Sequence, residues 1–463
     1  MQRRDYIKAL AVPGTVAVAG CSGTSEGEEG TATLPETVKE AMTEAEREGE
    51  ETERETATTT EEGPAVLPLD WRTYARDGAN TRHVPDQSVA TGEYDIRWTH
   101  SQEGDTIAFD DSRVIAGGET LFVQSNRDHI GSRLLAVEPT GELRWERTDA
   151  GVGGIVYADG LLAGITWDGD VLVMDPETGE REALVTDVDA EPDTSLNQVA
   201  ESGLFVSVTG DLGGSTMTVV DLTAGEIVRQ EEVEAMAGVY EVLIADGRIV
   251  FVGAAPVESS RDDNPIMVQV RDLETGDITG EFEETWLRDD EMGYPDWSTT
   301  DGETVYTMAN RSGLQYDDSR YGMIAYSRDG SLQWKAPELV VNETIYPPLL
   351  DDDHVYLVSE STVNALDRAT GEVQWTYENA DRFSPGSLVT DDRLVVPDLN
   401  TNGGARVHSI DTASGDAERV QFFTEDESAA DHFSSDVRLR PATEGFYVRG
   451  AGLHYVAPVD GEE

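Results

Sequence analysis

The sequence predicts an all-β fold, an eight-bladed β-propeller whose ring is closed by a strand from near the N-terminus. Three observations carry this expectation. A short apolar strand pattern recurs eight times; a glycine turn follows nearly every copy; and the eighth copy lacks a last strand that stands ahead of the first.

Taken in chain order, the first element is an export signal. Gln2-Arg3-Arg4-Asp5-Tyr6-Ile7-Lys8 supplies a basic start with twin arginines, and Ala9–Gly20 is short and weakly apolar. A membrane span needs ~20 apolar residues, so this stretch is too short to be one. Val18-Ala19-Gly20-Cys21 resembles the lipobox of prokaryotic lipoproteins. The resemblance implies a twin-arginine lipoprotein signal over residues 1–21, with Arg3 and Arg4 read by the exporter and lipid placed on Cys21. The protein is then expected at the outer face of the cell membrane, anchored by that lipid. Cys21 is the only cysteine. Once it is lipidated, no thiol is left for a disulfide, a metal or a nucleophile.

Residues 22–69 follow as an acidic stalk rich in Thr and Glu, with room for a brief helix around Glu36–Arg47. Such a segment buries too little apolar surface to order itself and reads as a spacer. Acidity marks the whole chain. The formal net charge is −60, and Lys8, Lys39 and Lys335 are the only lysines. This composition resembles that of proteins from extreme halophiles, haloarchaea above all. At molar salt the Debye length is ~3 Å, so like charges barely interact. Nucleic acid is excluded as a partner, because its phosphates demand basic patches.

The propeller is expected over residues 70–463. The eight strand copies begin at Leu121, Leu161, Leu204, Ile249, Val305, Val355, Leu394 and Phe446, at separations of 40, 43, 45, 56, 50, 39 and 52 residues. Asp159-Gly160, Asp246-Gly247 and Asp301-Gly302 mark tight turns ahead of three copies. After each strand comes a second turn, built on Gly141, Gly179, Gly225, Gly276, Gly330, Gly371 or Gly415. Glycine suits these turns because it accepts positive φ at little cost. Trp145, Trp334 and Trp375 occupy the same place beyond their turns. A period of 40–50 residues with several short strands means a propeller, in which each blade's apolar face is covered by the next. The eighth copy ends in a degenerate turn near Asp460-Gly461-Glu462. Its missing strand is Gly92-Glu93-Tyr94-Asp95-Ile96-Arg97-Trp98. Seven blades is the fallback if one copy is misread.

Ala365-x-Asp367-x-x-Thr370-Gly371-x-x-x-Trp375 resembles the tryptophan-docking repeat of propellers of the pyrroloquinoline quinone (PQQ) type. Ala136–Trp145 and Ala325–Trp334 look like shortened versions, and Asp70–Thr81 looks like the start of that family. The resemblance implies a fold like that of quinoprotein alcohol dehydrogenases. It implies structural docking roles for Trp98, Trp145, Trp334 and Trp375 and for Gly141, Gly179 and Gly371. The WD40 alternative lacks its signature: Trp167-Asp168 is isolated.

Quinone-dependent dehydrogenases of this type carry an adjacent cysteine pair and hold Ca²⁺ beside the cofactor. The cysteine pair is missing here, and no residue is matched to a catalytic, cofactor or metal position. Asp351-Asp352-Asp353 and Asp317-Asp318 are acidic clusters without a calcium-loop pattern. His83, His100, His129, His354, His408, His432 and His454 are scattered, without metal-ligand spacing. Asn310 and Asn342 head glycosylation sequons. Ser259–Pro265 and Arg311–Tyr321 are long connections of the kind that make binding surfaces.

Three functions are set against one another. The first is a non-enzymatic interaction scaffold, resembling BamB-type lipoproteins, with an unknown protein partner and no cofactor. Barrel assembly does not transfer to a cell without an outer membrane. The second is a PQQ- and Ca²⁺-dependent oxidoreductase of alcohols or sugars, and the third an extracellular small-ligand binding protein. The scaffold is preferred, and the protein is expected to be a monomer.

Overall fold

The computed structural model describes residues 82–458 apart from 85–93, 101–112, 118–119, 128–130, 149–150, 189–197, 212–213, 234–235, 256–264, 285–291, 313–318, 342, 380–381, 399–405, 422–437, 443–444 and 450–452. Among the described residues every regular element is a strand. Residues 1–21 and the stalk lie outside them, and so do Cys21, Arg3 and Arg4.

The strands make eight antiparallel four-stranded sheets, the blades of one ring. Blade 6 shows the plan: Leu349–Leu350, His354–Val358, Thr362–Asp367 and Val373–Glu378 pair in sequence order from the inner to the outer edge. The middle strands are buried on both faces; His354–Val358 is covered from Val355 onward. The outer strand Val373–Glu378 alternates between exposed and half-buried. This is what a sheet stacked between neighbours demands: apolar runs inside and alternation at the rim. Each of the eight apolar copies is the second strand of a blade. Eight blades, not seven, complete the ring.

Closure comes from the N-terminal side. Tyr94–His100 pairs antiparallel with Leu453–Pro458, from Tyr94 against Pro458 to His100 against Leu453, and becomes the outer strand of blade 8. Arg97 fastens the seam by donating from Nη2 to the Pro458 carbonyl at 2.7 Å. A second N-terminal piece has no counterpart in the sequence reading. His83–Val84 lies parallel to the inner strand of blade 7, Leu388–Thr390, and adds a fifth strand there. Two residues carry no periodicity, so no pattern could announce them.

The apolar clusters lie between blades. One of them joins Tyr306, Met323 and Trp334 of blade 5 to Leu350, Val355 and Leu366 of blade 6. The core is therefore a set of wedges, each needing both of its walls.

The two ends of the blades differ. Turns from first to second strand have two or three residues, and those from third to fourth have four to six. All of these share one end. Every longer connection within or between repeats lies at the other end, up to the 16 residues 422–437. The Asp159-Gly160 and Asp246-Gly247 turns have positive φ at both residues, the geometry that matches strand twist in two-residue hairpins. In the longer turns an aspartate holds the loop. Asp367 Oδ1 accepts from the Ala369 and Thr370 amides at 3.0 and 2.8 Å, and Asp411 Oδ1 does the same for Ala413 and Ser414 at 3.1 and 2.9 Å. The Thr370 side chain and backbone hold the Asp367 carboxyl below its usual range, and Ser414 does so for Asp411.

Candidate functional site

The residues singled out for docking meet in pairs across blade boundaries. The Trp145 indole lies flat over Gly179 of the next blade, where a Cβ would sit 2.8 Å from the ring. Its Nε1 donates to the Pro176 carbonyl at 2.8 Å. Trp98 covers Gly141 and donates to Pro139 O at 2.9 Å. Trp334 covers Gly371 and donates to Arg368 O, and Trp375 covers Gly415 and donates to Thr412 O, each at 2.8 Å. Behind each indole stands an aromatic ring of its own blade's second strand. Phe122, Tyr306 and Tyr356 lie 5.8–6.0 Å from Trp145, Trp334 and Trp375, and Tyr447 lies 5.8 Å from Trp98.

These contacts serve four joints: 8–1, 1–2, 5–6 and 6–7. At the joint between blades 2 and 3, Ala183 faces Gly225. At the next, Arg229 faces Gly276 and donates from Nη1 to the Leu273 carbonyl at 3.1 Å and from Nη2 to Glu274 O. Its guanidinium thus reproduces both the cover and the N–H of an indole. The signal was present in Gly225-Glu226-Ile227-Val228-Arg229, where arginine follows the turn glycine by the same four residues as Trp375 follows Gly371. Arg229→Ala should lower the stability of the ring by about 1–2 kcal/mol, read from denaturant unfolding at constant molar salt.

A polar staple reinforces the joint between blades 5 and 6. Arg368 donates from Nη2 to Asp301, from Nε to the Tyr306 hydroxyl at 3.3 Å, and from Nη1 to the carbonyls of Asp351 and Asp352 at 2.7 and 2.9 Å. Asp351 is not free for a metal. Its Oδ1 accepts from the Asp353 and His354 amides at 2.9 and 2.6 Å, and its Oδ2 accepts from the Tyr356 hydroxyl. Burial first, and then the Asp351 charge, push that hydroxyl far above its usual range.

Among the described residues, no group of three or more His, Cys, Asp or Glu side chains is placed to hold a metal. The adjacent cysteine pair of quinone-dependent dehydrogenases is also missing from the sequence. Asp317, Asp318, His129, His432 and Asn342 lie outside the described residues. His83 bonds Asp391 at 3.1 Å, and His454 bonds Thr99 at 2.9 Å. Asn310 sits within the strand Thr304–Ser312 and donates from Nδ2 to the Tyr321 hydroxyl at 3.3 Å. Its amide is engaged in a ladder rather than offered on a loop. The Arg311–Tyr321 connection is also shorter than its sequence suggests. Arg311 pairs with Arg320 and Ser312 with Ser319, so strand runs on to leave only 313–318 between. It and the 255–265 connection of blade 4 both lie at the end with the longer loops.

Residues 317–452 match the family model described as PQQ_2, outer membrane protein assembly factor BamB. This match and the eight-bladed ring together support a PQQ-repeat β-propeller. No curated protein matches the chain. Among solved structures, the computationally designed Ika8 protein is similar at TM-score 0.53 and 14% identity, over 78% of this chain and 98% of that one. A europium-containing methanol dehydrogenase is similar at TM-score 0.53 and 12% identity, over 83% and 90%. At these identities both likenesses speak for the fold alone. BamB from Moraxella catarrhalis aligns at TM-score 0.40 and 13% identity, over 66% and 82%.

Proposed function

We propose that this chain is a lipid-anchored, extracytoplasmic propeller that acts as a non-enzymatic scaffold for another protein. The observation that carries the reading is the inequality of the two ends of the ring. One end is closed by turns of two to six residues, and the other gathers every longer connection of the repeats. Variable loops on a rigid frame are the usual form of a binding face. The BamB description of the matched family model supports the same reading. The twin-arginine start and Cys21 supply the anchor, and residues 22–69 supply the reach. The partner is a protein, and the loop-rich end is the face it meets.

The oxidoreductase reading rests on a shared fold, and fold does not fix function. Titration of residues 64–463 with PQQ and Ca²⁺ in molar KCl, followed by tryptophan fluorescence, separates the two. We expect no saturable change. Saturable quenching at micromolar concentration, reversed by a chelator, would replace the scaffold with the enzyme. Photo-cross-linkers placed in 255–265 and in the 412–416 turn test the face: adducts in intact membranes should form from the former and not from the latter.

A further inference from the structure

Between blades 6 and 7 lies a buried polar cluster that the docking architecture does not use. Asp398 ends the second strand of blade 7 and is 1% exposed; His408, on the neighbouring strand, is fully buried. Neither carboxylate oxygen of Asp398 has a hydrogen-bond partner. His408 Nε2 is 3.5 Å from Oδ2, beyond hydrogen-bond length. The surrounding bonds explain why the ring does not close that gap. Arg419 Nη2 donates to Asn379 Oδ1 at 3.1 Å, which turns the Asn379 amide nitrogen toward His408 Nε2 at 3.2 Å. That ring nitrogen must then accept, and it has no proton to give Asp398. The other ring nitrogen, Nδ1, is 3.0 Å from the Tyr377 hydroxyl. Arg406, directly across the ladder from Asp398, makes no ion pair with it.

A third buried oxygen without a partner, Ser387 Oγ, belongs to the same wall. Val389 faces blade 6 with Leu394 and Val396, and Ser387, two residues before Val389, enters that face by strand alternation. Phe383, bridged to Asp398 and set edge-on to His408 at 5.3 Å, is itself fully buried beside them. A buried carboxylate without a counter-charge or hydrogen bonds carries a heavy desolvation cost. One carboxylate balances one positive charge, whereas a divalent ion would leave a buried excess and asks for more anionic oxygens.

We propose that this buried cluster takes a desolvated alkali cation, held by Asp398 and the Ser387 hydroxyl, which locks blade 7 to blade 6. The test is diffraction from crystals grown in RbCl. An anomalous peak in contact with Asp398 is expected in the wild type and should vanish in Asp398→Asn. In solution, the unfolding midpoint should rise by about 2–4 °C from choline chloride to KCl at equal concentration, over and above the rise seen in Asp398→Asn. Ser387→Ala should lose part of that excess. The absence of an anomalous peak at Asp398, or an equal salt response in the wild type and Asp398→Asn, overturns the proposal. If Asp398→Asn does not fold, the wild-type rubidium peak decides alone.

Discussion

A chain that starts at residue 101 is expected not to fold. It would lack the outer strand of blade 8, and with it Tyr94 and Trp98, which are 1% and 5% exposed in the closed ring. Truncating one buried aromatic side chain costs about 3–5 kcal/mol. Two of them, with a six-pair ladder, exceed much of the roughly 5–15 kcal/mol that holds a typical domain together. The loss also strips the cover from Gly141 and opens the wedge shared by blades 8 and 1. Near-UV circular dichroism during heating in molar KCl should show no cooperative transition for residues 101–463 and a sharp one for residues 64–463. A cooperative transition at an unchanged midpoint in the shorter chain would mean that the seam contributes little.

The second large effect is expected at Gly371. Its φ of 71° is one that L side chains rarely adopt, and a Cβ there would sit 2.4 Å from the Trp334 ring. Gly371→Ala should cost about 3–5 kcal/mol, because the backbone is strained and the indole must leave its seat. Gly160→Ala is the matched control. Its φ is 78°, but a Cβ there meets nothing within 4 Å. That substitution should cost about 1–2 kcal/mol from the backbone alone. The difference between the two, measured by denaturant unfolding, isolates the docking contact. Equal costs would show that the indole slides aside freely.

Much of the ring was legible because its parts repeat. The second strands announce themselves through apolar runs bounded by glycine turns. The closing strand was readable because Gly92–Trp98 has the form of the outer strands, ending in tryptophan after a Gly-Glu start. What could not be read lacked either length or kinship. His83–Val84 is too short to show a period. Arg229 does a tryptophan's work with a different side chain, and only the spacing betrays it. The Asp398 cluster draws on residues from Asn379 to Arg419, brought together by strand pairing within blade 7 and by its packing on blade 6, and no local motif joins them. The role of Asp351 was hidden for the opposite reason. In so acidic a chain, Asp351 looks like one of many, yet it is tied to two amides and a phenol.

The seam also sets a timetable. Arg97 and Pro458 meet across 361 residues of sequence. Closing so long a loop costs entropy that grows only slowly with length, but it cannot begin until both edges exist. During synthesis the first seven blades can stack one upon another while the strand at Tyr94–His100 waits without its mate. Blade 1 keeps an uncovered wall for the whole of that interval, and folding so dependent on distant contacts is slow. Ring closure is therefore an event that follows synthesis of the last repeat, and a chain sent through a twin-arginine exporter would cross only after it.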